Sequence, residues 1–257
     1  MQFTWVAENY YHNSDFQLSH ATALLSKYTF LGNENVLDVG CGDGRITALI
    51  AGKTNGKVIG IDNSKEMITF AKNTFENSHK NLSFELSRAE KIPFHEQFNL
   101  VVSFACLHWV RDQLAFLTSA KKSLKENGQI IITLYPKHPA IWGAIEKTIQ
   151  ETCWSVYFKG YQNPHVSYNM GLYKQLVLEA GLKILLLEED IPIAKFKTII
   201  EAENFLHSWL PHTNEVPTSL KPALIEDIIA RFIKEQNIKK DCDISIPFKR
   251  LDIILKK

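Results

Sequence analysis

The sequence predicts an α/β chain built on an open, mostly parallel sheet with helices on both faces. Three observations predict it. Short apolar runs recur at Val36–Val39, Val58–Ile61, Leu100–Phe104 and Ile130–Ile132, the look of strands buried on both faces. Between them lie stretches with apolar residues three and four apart, as on one face of a helix. The connections are short, which suits repeated β-α units and a parallel sheet.

The elements follow in order. Residues 1–13 carry Trp5, Tyr10, Tyr11 and His12 without clear periodicity. From Ser14 or Asp15, both good cap residues, a helix is expected to about Tyr28, with Phe16, Ala21, Leu24 and Leu25 inward. Then comes Val36-Leu37-Asp38-Val39-Gly40-Cys41-Gly42-Asp43-Gly44-Arg45-Ile46-Thr47, read as strand, glycine turn and the start of a helix reaching about Gly52. Glycines let a backbone approach a ligand closely, and a helix start offers unpaired N–H groups. The dinucleotide fingerprint G-x-G-x-x-G is a near relative, but here the third glycine comes one residue early. A tight turn without a ligand is the plainer alternative.

Val58–Ile61 leads into Asp62, and Asn63 or Ser64 caps a helix whose inner face is Met67, Ile68, Ala71 and Phe75. Leu82–Leu86 alternates as a short strand. Leu100–Phe104 is buried, and Gln113–Leu124 is a helix that Asn127-Gly128 ends before Ile130–Ile132. Ligands of such sheets bind beyond the carboxyl ends of the strands, near the point where strand order reverses. Gly40–Gly44, Asp62, Arg88–Glu90 and Ala105–Trp109 all follow strand ends in this reading.

After Leu134 the rhythm breaks. Residues 135–166 hold Tyr135, Trp142, Trp154, Tyr157, Phe158 and Tyr161. Helical pattern returns at Leu172–Ala180, a strand at Lys183–Glu188 and helices over 199–237. A last strand over Ile244–Leu255 is interrupted at Pro247, which places it near an edge. The chain is expected to be a single domain, residues 1–257. Its core comprises about 14–134, 172–190 and 244–257, and residues 135–170 and 195–240 form a cap over the strand ends.

Composition narrows the class. With 257 residues and 45% hydrophobic content the chain suffices for one large α/β domain with additions. A net charge of +1 without like-charge blocks argues against nucleic acid or an anionic membrane as partner. Cys41, Cys106, Cys153 and Cys242 lie far apart, so neither structural zinc nor a disulfide framework is expected. Residues 1–20 do not read as a signal peptide, and no apolar run nears the ~20 residues of a membrane span. The expectation is a soluble, cytoplasmic protein without a metal, a monomer by preference.

Four phrases in order carry a family resemblance: Val36–Thr47; Ile61-Asp62-Asn63-Ser64-Lys65-Glu66-Met67-Ile68; Ala89-Glu90-Lys91-Ile92-Pro93-Phe94; and Ser103-Phe104-Ala105-Cys106-Leu107-His108-Trp109-Val110. Over residues 14–134 the chain resembles class I S-adenosylmethionine-dependent methyltransferases, which implies a Rossmann-like sheet, mostly parallel, with an antiparallel last strand. More narrowly, Leu107-His108-Trp109, the aromatic insert and Pro247-Phe248-Lys249-Arg250-Leu251 resemble the trans-aconitate and juvenile hormone acid methyltransferase branch. The malonyl-carrier-protein methyltransferases of biotin synthesis are a close second.

Asp62, at a strand end, can accept from both ribose hydroxyls. Asp38 lies in an apolar strand where an unpaired charge is costly. The resemblance implies that Asp38 orients the glycine loop and the ligand's ammonium, and that Gly40, Cys41, Gly42 and Gly44 cradle it. Asn63, Phe104, Ala105 and Leu107 are expected to bind the cofactor, and Met67 covers the adenine face or packs in the core. By spacing, Tyr10 and Gln17 match a tyrosine and a glutamine that fold over the methionine end in related enzymes; an ordinary surface tyrosine and helix residue is the alternative. Arg88 departs from the family pattern, in which an Asp accepts from adenine; arginine cannot accept. Adenine recognition falls instead to main-chain groups of Arg88–Ala89 or to Glu90, or Arg88 lies outward. Trp109 faces the substrate in the resembling carboxyl methyltransferases, and its N–H can donate to a carboxylate. His108 is a donor, a base for a hydroxyl substrate, or a packed histidine. Tyr135, Trp142 and Trp154 line an acyl pocket or the cap's own core. O-methylation of a small carboxylic acid is the leading expectation. A hydroxyl or amine acceptor, a nicotinamide oxidoreductase and a non-catalytic cofactor binder are the alternatives.

Overall fold

A computed structural model describes residues 5–239 and 242–257. The expectations that touch residues 1–4 and position 240, at the chain start and the end of the cap, lie outside the described residues. The strands are β1 (Val36–Val39), β2 (Val58–Asp62), β3 (Leu82–Leu86), β4 (Phe98–Phe104), β5 (Leu124–Leu134), β6 (Lys183–Asp190), β7 (Ile193–Phe196), β8 (Ile244–Pro247) and β9 (Arg250–Lys256). The chain divides into two compact units. The larger holds Trp5–Pro136, His165–Asp190 and Arg250–Lys257, and the smaller holds Lys137–Pro164 and the described part of Ile191–Lys249.

The larger unit is a seven-stranded sheet of order β3-β2-β1-β4-β5-β9-β6. Strands β1 to β5 run parallel, and β9 lies antiparallel between β5 and β6. Because successive side chains alternate across a strand, β1 divides its residues between two cores. Val36 packs with α2 (Asp15–Leu25), α3 (Arg45–Ala51) and α4 (Lys65–Phe75). Leu37 and Val39 pack on the opposite face with α5 (Gln113–Ser123) and α8 (Met170–Glu179). Both faces are covered, which is why the strands read as apolar runs. Strand order reverses between β1 and β4, so a crevice opens at their carboxyl ends.

Several boundaries differ from the expected ones. A short helix, α1 (Ala7–Asn13), precedes α2, and α2 stops at Leu25 where Tyr28 was expected. Asn127-Gly128 does not end α5. It lies inside β5, where Asn127 takes a φ of 62° and the pairing with β4 shifts register between Phe98 and Leu100. The pair acts as a bulge, a second use of a residue that tolerates the left-handed region. The interrupted last strand is two strands in separate sheets. Pro247 ends β8, and β9 is interior, bonded on both sides, so the edge placement is corrected.

The smaller unit contains α6 (Pro139–Ile149), α7 (Thr152–Ser155), α9 (Ile199–Trp209), α10 (Lys221–Glu235) and the two-stranded β7–β8 sheet. Leu224, Ile225, Ile228, Ile229 and Phe232 give α10 a continuous buried stripe. Phe205, Trp209 and Phe248 stack edge to face within it.

Candidate active site

The turn after β1 bends back on β2: the amides of Gly40 and Cys41 both donate to the Ile61 carbonyl, at 2.7 and 3.0 Å. Gly40 and Gly44 have φ of 74° and 85°, and a Cβ at Gly40 would run into the Cys106 side chain. A Cβ at Gly44 would sit 2.7 Å from that of Ala71. Both positions therefore require glycine for packing as well as for conformation. Gly42 is different. A Cβ there would meet only the Tyr10 ring, at 3.9 Å, so this glycine faces the crevice.

Three carboxylates surround the turn. Asp62, ending β2, accepts from the Gly42 amide at 3.1 Å and the Ser64 amide at 2.8 Å, while Ser64 caps α4 by accepting from the Met67 amide. Asp38, 2% exposed, accepts from the Thr47 hydroxyl at 2.7 Å. Asp43 accepts from the Arg45 amide at 2.9 Å. Burial raises the pKa of all three. For Asp38, burial together with the Asp62 and Asp43 charges outweighs the Thr47 hydrogen bond and pushes it up to about 7. Against these three stands Arg45, 3.9 Å from Asp43, whose charge lowers that one pKa.

Tyr10, Gln17, Asp38, Gly40, Cys41, Gly42 and Phe104 line one pocket together with Asp43, Arg45 and neighbouring residues of α2 and α3. The Gln17 side-chain carbonyl is buried there without a hydrogen-bond partner. Arg45 holds the α1–α2 corner in place, bonding Ser14 at 2.7 Å and Asp15 at 2.9 Å and lying 4.9 Å from the Tyr11 ring centre. On the β3 side, Arg88 is exposed and pairs with Glu90 at 3.1 Å, while Ala89 and Glu90 begin a single turn of 3₁₀ helix. Asn63 is exposed and Met67 buried.

Beyond β4, Ala105 turns the chain with a φ of 53°, and Leu107 and His108 are buried in the turn that follows. The Trp109 ring lies edge-on to Trp5 at 5.8 Å, and Trp5 edge-on to Tyr10 at 5.5 Å. One ring therefore links the tyrosine over the glycine turn to the tryptophan after β4. Tyr135, just past β5, bonds His20 through its hydroxyl at 2.9 Å and lies 5.9 Å from the His108 ring. Trp142 and Trp154 belong to the smaller unit. Trp142 stacks with Trp209 and His212, and the Trp154 N–H donates to Asp227 at 2.7 Å. Sequence reasoning missed Thr47, Arg45, Trp5, His20 and His165. Only Thr47 carried a signal, as a polar residue on the inner face of α3 opposite a strand aspartate.

A sequence profile described as "Methyltransferase domain" matches residues 31–176, more than half of the chain. The chain belongs to this methyltransferase family. Among relatives of the methyltransferase, the 235L protein of Invertebrate iridescent virus 6, provisionally named a methyltransferase, is 26% identical over 230 residues, covering 88% of this chain and 84% of that protein. Malonyl-[acyl-carrier protein] O-methyltransferase of Acetivibrio thermocellus is 28% identical over 138 residues, 52% of this chain and 48% of that one. The crystal structure of BH2331 from Bacillus halodurans C-125, also provisionally titled a methyltransferase, superposes with a TM-score of 0.65 at 18% identity, over 93% of this chain and 99% of that chain. At that identity the likeness bears on the fold.

The methyltransferase uses S-adenosylmethionine, and the residues present fit it. This cofactor brings an ammonium, a sulfonium and ribose hydroxyls, while the pocket offers acceptors on Asp38 and Gln17, and Asp62 stands at the end of β2, bonded to the Gly42 amide of the same turn. A pyrophosphate would instead meet three carboxylates, an arrangement that opposes a dinucleotide.

Proposed function

We propose that this methyltransferase acts on a small molecule and methylates the carboxylate of an organic or fatty acid. The observation that carries the reading is the Tyr10–Trp5–Trp109 stack, which makes the wall after β4 continuous with the pocket over the glycine turn. An indole N–H donates and cannot accept, which suits an ionised oxygen. A carboxylate is already ionised at neutral pH, so the site needs no group to remove a proton. When bound, the cofactor supplies an electrophilic methyl on a sulfonium. Transfer to an ionised oxygen would break the carbon–sulfur bond with its electron pair left on sulfur, and no proton would have to move. Trp109 would orient the oxygen, Asp38 and Gln17 would hold the ammonium, Asp62 would hold the ribose, and Tyr10 would exclude water. Positioning of this kind is worth up to ~7–11 kcal/mol in ideal cases. Tyr135 belongs to the acceptor wall. For Trp142 and Trp154 a role in contacting an acyl body rests on the family resemblance alone. A relative named for O-methylation of malonyl-carrier protein supports an acid acceptor.

The test is incubation with methyl-labelled S-adenosylmethionine and a panel of small acids, alcohols and amines. Label recovered as base-labile ester supports the proposal. Label confined to alcohols or amines overturns the carboxylate, and binding of NAD without S-adenosylhomocysteine overturns the cofactor role of the pocket.

A further inference from the structure

The backbone of Tyr135 is held on either side of its Cα by two buried histidines. Its N–H donates to Nδ1 of His108 at 3.3 Å, and its carbonyl accepts from Nε2 of His165 at 3.0 Å. The rings lie 5.1 Å apart, and the His108 carbonyl accepts from the Val166 amide at 2.8 Å, so the 165–166 segment is stitched to the turn after β4. A neutral imidazole has one N–H and one bare nitrogen. With Nδ1 accepting from Tyr135, the proton of His108 resides on Nε2. Burial, with His165 beside it, holds the His108 pKa well below the ordinary histidine value, so the ring is neutral at pH 7. A ring in this tautomer can donate from Nε2 but cannot take a proton there. His108 also lies against Trp109, ring centres 4.9 Å apart.

We propose that His108 is a second hydrogen-bond donor to the acceptor oxygen, through Nε2–H, and that His165 is the positioning residue that fixes this tautomer by holding the Tyr135 peptide. The proposal rests on the reading of Trp109 as the acceptor wall, and it names the accepting atom as one that arrives without a proton to lose. The two histidines come from distant parts of the chain, and the two peptides that meet at Tyr135 transmit the restraint. His165 touches no reacting atom in this scheme.

Long-range ¹H–¹⁵N spectroscopy of the S-adenosylhomocysteine complex at pH 7 tests it without turnover. The expected spectrum shows His108 with a protonated Nε2 and a bare Nδ1. A proton on Nδ1, or two averaged nitrogens, overturns the assignment. His165→Ala should average the two His108 signals, and His165→Gln, whose amide can still donate to the Tyr135 carbonyl, should restore them. An unchanged His108 spectrum in His165→Ala removes His165 as the positioning residue. With an acid from the panel, His108→Leu should lower kcat/KM by about 10- to 100-fold, the worth of one hydrogen bond to a charged group, and His108→Gln should recover most of it. Equal losses in both variants overturn the donor role. If no acid is methylated by the wild type, the carboxylate reading fails while the tautomer measurement still stands by itself.

Discussion

Thr47, in the first turn of α3, donates its hydroxyl to Asp38 on β1 at 2.7 Å, and both side chains are buried. That single bond does not restore an ordinary pKa to Asp38, which stands at about 7. An unfolded aspartate titrates at about 3.9. Between the two values the folded chain holds the extra proton, so the stability of the free protein falls as pH rises through this window. The melting temperature of the free protein should decline from about pH 4 to pH 7, and Asp38→Asn should flatten that decline.

With the ammonium on Asp38 as proposed, cofactor binding should reverse the preference, because an ammonium favours the charged carboxylate. Calorimetry of S-adenosylhomocysteine binding at pH 7, in two buffers of different ionisation heat, should show release of a fraction of a proton. Asp38→Asn should abolish the release. Proton uptake by the wild type would contradict the placement of the ammonium.

Asp62→Ala removes the acceptor of the Gly42 amide and, with it, the acceptor proposed for the ribose. S-adenosylhomocysteine affinity should fall by about 1.5–3 kcal/mol, the range for hydrogen bonds to a charged group. An unchanged dissociation constant would leave Asp62 with a structural role alone.

Arg45 ties Ser14, Asp15 and Tyr11 to the residue after the glycine turn. Arg45→Ala should speed amide exchange in α1 and the start of α2 and weaken the cofactor complex about 10-fold, for ~1.4 kcal/mol. The wild-type complex should also weaken with salt, since the Asp15 partner is exposed. Exchange unaltered by the substitution would show that the corner holds by packing.

Trp109→Phe keeps the ring and removes the donor. S-adenosylhomocysteine binding should survive, while kcat and kcat/KM for an acid acceptor fall together by about 10- to 100-fold. Full activity would take Trp109 out of the site.

The parts of this site that sequence made legible are those where one residue breaks a pattern. Asp38 stands out because a charge in a doubly buried strand is costly, and Asp62 because it ends another such strand. The glycines are legible because side chains at Gly40 and Gly44 would collide with neighbours. The course of β5 was not, since Asn127-Gly128 serves a helix end and a bulge equally well. Pro247 was read as marking a strand edge, but the chain is leaving the β7–β8 pairing there and starts β9 three residues later. His165 had no local signal. Its role depends on a carbonyl thirty positions away, a contact only the folded chain creates.

The insertion of β9 between β5 and β6 also sets an order of events. Among the described residues β6 has no partner in the sheet except β9, so it cannot dock on β5 before Arg250–Lys256 is available. Until then the edge of β5 offers its unpaired backbone groups to any passing strand, including that of another nascent chain. Closing so long a loop is slow, because its entropy is lost before the pairing returns anything. The lifetime of that open edge, and hence the yield on refolding at high protein concentration, should depend on the pairing of Leu251, Ile253 and Leu255 more than on any residue of the glycine turn.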